Sequence, residues 1–94
     1  MPRSTSVKSK TEKPLAAESG LRAYVLIQTT PGRVEGIIRS LKRMPAVLSV
    51  DPVTGPYDIV VMLGLSEVHQ LSQLVAGTIG GLRAVTRTTT LICA

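Results

Sequence analysis

The sequence predicts an α+β fold: a ferredoxin-like βαββαβ sandwich, with a four-stranded antiparallel sheet and both helices on one face, pairing with a second copy as a dimeric α/β barrel. Three patterns lead there. Short apolar, β-prone runs alternate with stripes of helical period in the order strand, helix, strand, strand, helix, strand. The two halves echo each other: Val34, Ile37 and Leu41 recur as Val68, Leu71 and Val75 at a spacing of 34, and Ala46-Val47 recurs as Ala84-Val85. The first and third strands are apolar at nearly every position, so helices on one face leave half of that surface uncovered.

Residues 1–20 are rich in Ser, Thr, Lys, Pro and Glu and hold almost no large apolar side chain, so they are expected to form a disordered tail. The folded domain is expected over residues 21–94. Ala23 to Gln28 reads as a strand buried on both faces. Thr29-Thr30-Pro31-Gly32 breaks it, with a threonine able to cap a helix and a proline suited to a first turn. Val34, Ile37, Ile38, Leu41 and Met44 then form an apolar helical stripe, with Arg33, Glu35, Arg39, Lys42 and Arg43 facing away. Pro45 stops this helix. Val47 to Asp51 is a shorter strand that Pro52 assigns to a sheet edge. Tyr57 to Leu63 is the third strand, closed by Gly64. Ser66 is placed to cap a second helix, whose stripe is Val68, Leu71, Leu74, Val75 and Thr78 or Ile79, and Gly80-Gly81 end it. A Thr-rich strand from about Arg83 to Cys93 completes the sheet, with strands one and three in its centre.

Side-chain parity makes the uncovered face concrete. Val25 and Ile27 oppose Tyr24 and Leu26 on the first strand, and Ile59, Val61 and Leu63 oppose Val60 and Met62 on the third. Tyr24, Leu26, Val60 and Met62 are assigned to a dimer interface, although the period alone does not choose between the two sets. A wet apolar face of this kind exceeds what monomers usually tolerate. Covering several hundred Å² at roughly 25 cal/mol per Å² favours association before entropic costs.

The formal charge of +5 invites an acidic partner, but the balance is modest. Residues 1–20 set Arg3, Lys8, Lys10 and Lys13 against Glu12 and Glu18, and the remainder holds seven basic and four acidic side chains. There is no Phe or Trp, and Tyr24 and Tyr57 are the only aromatics, a poor inventory for stacking nucleic-acid bases. No run of about 18 apolar residues appears, which argues against a membrane span. With a single cysteine, Cys93, no intrachain disulfide can form, and a cytoplasmic home is expected.

Catalytic constellations are thin. His69 is the only histidine and lies off the helical stripe, without the companion ligands a metal site needs. No phosphate-binding glycine loop occurs, and Gly64-Leu-Ser-Glu-Val lacks the last glycine of a nucleophile elbow. Asp51 and Asp58 can approach across the hairpin, yet no base partner or cofactor motif accompanies them. No enzyme, metal or cofactor is therefore expected. The densest chemistry is the turn Val53-Thr54-Gly55-Pro56-Tyr57-Asp58: Gly55 permits a positive φ, Pro56 fixes its own, and Thr54 and Asp58 supply oxygens.

This turn joins a wider resemblance. The element order, Pro45-Ala46-Val47 before the second strand, Val53 to Ile59, and Ala84-Val85 followed by Arg87-Thr88, Thr90 and Leu91-Ile92 resemble the effector-binding (RAM) domain of the Lrp/AsnC transcriptional regulators over residues 21–94. The resemblance implies a homodimer that assembles further, often into rings, and binds amino acids or related small effectors between dimers. It places Gly55, Tyr57 and Asp58 at the effector cleft, with Thr54 and Pro56 as neighbours and hydroxyls from Thr88 and Thr90. An α-amino group wants a carboxylate such as Asp58, and an α-carboxylate wants backbone N–H groups. Two departures stand out. Ala46 and Ala84 occupy positions where the family often has glycine, and a polar tail of 20 residues stands where DNA-binding members carry a helix-turn-helix of about 60. The expected function is therefore a stand-alone, non-catalytic sensor that does not read DNA itself and can mix with full-length regulators. The alternatives are a small dimeric α/β-barrel enzyme of monooxygenase or haem-processing type, which would need His69 in its pocket, and a purely structural oligomerisation module.

Overall fold

The computed structural model describes residues 20–94, so the tail expected over residues 1–20 lies, except for Gly20, outside the described residues. The elements are β1 (Leu21–Thr29), α1 (Val34–Lys42), β2 (Val47–Pro52), β3 (Ile59–Leu65), α2 (Val68–Gln73) running into a π-helical segment (Leu74–Ile79), and β4 (Val85–Ile92). They form one antiparallel sheet in the order β2-β3-β1-β4, the βαββαβ arrangement expected from the sequence.

The core lies between the sheet and both helices. Ala23, Val25 and Ile27 of β1 and Ile59, Val61 and Leu63 of β3 are wholly buried, packed with Ile37 and Leu41 of α1, Leu71 of α2 and Ile79. Alternation therefore turns Tyr24, Leu26, Val60 and Met62 to the other side, where Tyr24 is 37% exposed and the rest half-buried. Cross-strand pairing lines them up as two rows, Asp51-Val60-Leu26-Thr89 and Ser49-Met62-Tyr24-Leu91. No described helix covers these rows; the apolar centre ends in Asp51, Thr89 and Ser49 at three corners and in the half-exposed Leu91 at the fourth.

Several local expectations are corrected. Gly64 does not close β3: its N–H donates to the Ala46 carbonyl at 2.9 Å, it pairs with Arg22, and the strand runs on to Leu65. Tyr57 and Asp58 belong to the turn instead. Neither threonine caps α1, because the chain spends Pro31 and Gly32 (φ +82°) on a turn and enters the helix at Val34 behind Arg33. Ser66 does not cap α2 either. Its N–H donates to Oε1 of Gln70 at 2.9 Å, so the helix side chain reaches back to the incoming chain. Val68 is 54% exposed and leaves the predicted stripe, and Ile79 rather than Thr78 enters the core. The π-helical turns have no counterpart in the sequence reading. They widen the helix before Gly80, whose N–H donates to the Val75 carbonyl at 2.8 Å.

Candidate functional site

The Val53–Asp58 turn sits where β1 ends, and its backbone is anchored at two places. Val53 N–H donates to the Asp58 carbonyl and Asp58 N–H to the Ile27 carbonyl, each at 2.9 Å, closing the loop and tying it to the central strand. Gly55 adopts φ +128° with open space where a Cβ would stand, so glycine is required there by backbone conformation and not by crowding. Thr54 and Pro56 are exposed at the tip.

Three side chains bind this turn to its neighbours. Oδ2 of Asp58 accepts the Thr29 N–H at 2.8 Å and the Thr29 hydroxyl at 3.4 Å. The Thr29 hydroxyl also reaches the Thr30 carbonyl at 3.2 Å. Nε2 of Gln28 donates to the Pro56 carbonyl at 3.2 Å. The Tyr57 hydroxyl meets the Thr89 hydroxyl at 2.5 Å. Because β1 lies between β3 and β4, a Tyr57 that reaches Thr89 must span β1, and it does so on the side that the helices leave open.

A β-bulge shapes the same corner. The β1–β4 register shifts between Gln28 and Thr29, leaving Thr86 as the extra residue. Its hydroxyl donates to the Gln28 carbonyl at 3.1 Å and stands 3.4 Å from Oε1 of the same residue. Gln28 thereby links the turn on one side to β4 on the other.

The geometry brings Gly55, Pro56, Tyr57 and Asp58 together, with Thr54 beside them, but sorts the threonines differently. Thr88 and Thr90 pair with Ile27 and Val25 and share the helix-covered side of those residues; Thr89 pairs with Leu26 and is the one at Tyr57. Sequence reasoning also passed over Gln28, Thr29 and Thr86. Three consecutive threonines always divide between the two faces, but only the β1–β4 register says which goes where. Asp51 pairs with Val60 on the exposed edge strand while the Asp58 carboxylate turns to β1, so the two are not a matched pair. His69 is exposed on α2. Among the described residues no group of three or more His, Cys, Asp or Glu side chains is arranged to hold a metal ion, and no helix is long and apolar enough to cross a membrane.

Comparison with known proteins agrees with this architecture. No curated protein matches the chain. Among solved structures, a protein of Thermus thermophilus is 36% identical, with 79% of this chain and 92% of that one covered and a TM-score of 0.75. AsnC of E. coli is 14% identical, covering 93% of this chain and 60% of that one at a TM-score of 0.78, a likeness of fold. A transcriptional regulator of Neisseria meningitidis, solved in complex with L-Met, is 17% identical over 100% of this chain and 60% of its own, with a TM-score of 0.75. The sequence model of the Lrp/AsnC ligand binding domain matches residues 22–94, and the chain belongs to that family.

Proposed function

We propose that this chain is a non-catalytic cytoplasmic sensor that binds an amino acid or a related small metabolite at the 54–58 turn and works as an assembly. Two copies pair through Tyr24, Leu26, Val60 and Met62, dimers build into rings, and full-length Lrp/AsnC regulators can join them. The observation that carries the ligand reading is the Asp58 carboxylate: Oδ2 is committed to Thr29, while Oδ1 accepts no hydrogen bond among the described residues and is left for a ligand ammonium group. Gly55, with nothing where its Cβ would be, lets a ligand carboxylate approach the backbone of the turn. The hydroxyl contribution expected of Thr88 and Thr90 passes to Thr89, which stands with Tyr57. The L-Met complex of the Neisseria regulator supports an α-amino acid as the ligand class by analogy.

A thermal-shift panel of the amino acids on the wild type and on Asp58→Asn tests this. At a ligand concentration about 100 times Kd, stabilisation of about 2.7 kcal/mol is expected, and it should vanish in the variant. No shift with any amino acid contradicts the sensing role, and a shift that survives Asp58→Asn puts the site elsewhere. The enzyme alternative needed His69 directed into a pocket, and its exposure on α2 removes the residue that reading relied on.

A further inference from the structure

On the β4 side of the same strand end lies a pocket of about 420 Å³ lined by Thr30, Arg33, Arg83 and Ala84. We infer that it binds a small oxyanion, a carboxylate or phosphate group held between the guanidiniums of Arg33 and Arg83. Two of the four lining residues are arginines and none is acidic, so the cavity gathers like charge that an anion would neutralise. The side-chain hydrogen bonds among the described residues use neither guanidinium. Among the described residues neither fork spends a donor in such a bond, and the planar guanidinium matches a carboxylate or phosphate edge with two parallel bonds.

The segments that carry the arginines are fixed to each other. The Thr30 N–H donates to the Ala84 carbonyl at 2.9 Å, joining the loop before α1 to the loop before β4. Gly32, at φ +82°, turns the chain so that the Arg33 N–H returns to the Thr30 carbonyl at 3.3 Å. The pocket is separate from the turn. Thr29 sends its N–H to Asp58 on the β3 side and Thr30 sends its own to Ala84 on the β4 side, so the two features flank the end of β1. Their charges are opposite. The pocket is built within one chain, whereas the sensing role requires an assembly, so either can fail without the other.

Calorimetric titration with inorganic phosphate and with succinate, at constant ionic strength in chloride, tests the pocket on the wild type, Arg33→Gln, Arg83→Gln and Asp58→Asn. Both arginines are exposed, so the variants should fold. At least one probe should bind, each arginine variant should weaken it by at least about tenfold, and Asp58→Asn should leave it within about twofold. Binding of phosphate alone, or of succinate alone, supports the site and assigns its ligand. Absence of binding by both probes up to about 10 mM overturns it, as does binding that both arginine variants leave unchanged. Equal loss in Asp58→Asn overturns a pocket separate from the turn.

Discussion

Replacing Asp58 with alanine should destabilise the fold itself, whatever the ligand. Thr29 is only 8% exposed, and its N–H has Oδ2 of Asp58 as its partner at 2.8 Å. Alanine leaves that donor buried and unsatisfied, which costs about 1–3 kcal/mol. The Thr29 hydroxyl loses less, since the Thr30 carbonyl at 3.2 Å remains within its reach. The turn's two backbone bonds, Val53 to Asp58 and Asp58 to Ile27, do not depend on the side chain, so the loss should be local in origin and bounded. At about 4–8 °C per kcal/mol for a domain of this size, the melting temperature should fall by about 4–24 °C. Asparagine keeps an acceptor oxygen for the same N–H and should recover most of the loss. Heat or urea unfolding, run at one protein concentration so that the proposed association would act equally on every variant, reads both variants. An Asp58→Ala protein as stable as wild type, or an Asn variant as damaged as the Ala variant, would refute the role given to this bond.

Tyr57→Phe and Thr89→Val should each cost about 0.5–1.5 kcal/mol, with the double variant little worse than either alone; full additivity in the double-mutant cycle would mean that the hydroxyl pair contributes nothing. Gly55→Ala should cost about 1–3 kcal/mol because φ +128° strains any side chain even though the space is open, and a neutral substitution would show that the turn relaxes freely. Val60→Lys places a charge in the middle of the open row while leaving the helix-side core intact, so sedimentation velocity should show the assembly falling to monomer at micromolar concentration with the circular-dichroism spectrum retained. An unchanged sedimentation coefficient would move the interface off this face.

Much of this architecture was written in the side-chain periods. Alternation on β1 and β3 separated Val25, Ile27, Ile59, Val61 and Leu63 from Tyr24, Leu26, Val60 and Met62, but which set meets Ile37 and Leu41 of the helices is decided by the packing and not by the period. The site was only half legible. Gly55 and Pro56 announce a turn through their own φ preferences, and Asp58 stands out as a carboxylate beside it. Its partner Thr29 could not be read, because that bond depends on a non-local register between residues 29 positions apart. Thr89 was missed for the same reason: the choice among three adjacent threonines is made by the strand pairing, and a bulge at Gln28 shifts that pairing. The missing helix caps have a different cause. Thr30 and Ser66 have good intrinsic capping chemistry, but the turn at Pro31-Gly32 and the back-reaching Gln70 take up those positions.

The most direct test is to find where an amino acid lands. Amide chemical-shift mapping of the labelled protein, titrated with the amino acid that most raises its melting temperature, should perturb residues 54–58 together with Thr29 and Thr89, and Asp58→Asn should abolish those changes. Perturbations confined to other parts of the chain, or none at all, would contradict the assignment of the Thr54–Asp58 turn as the ligand site.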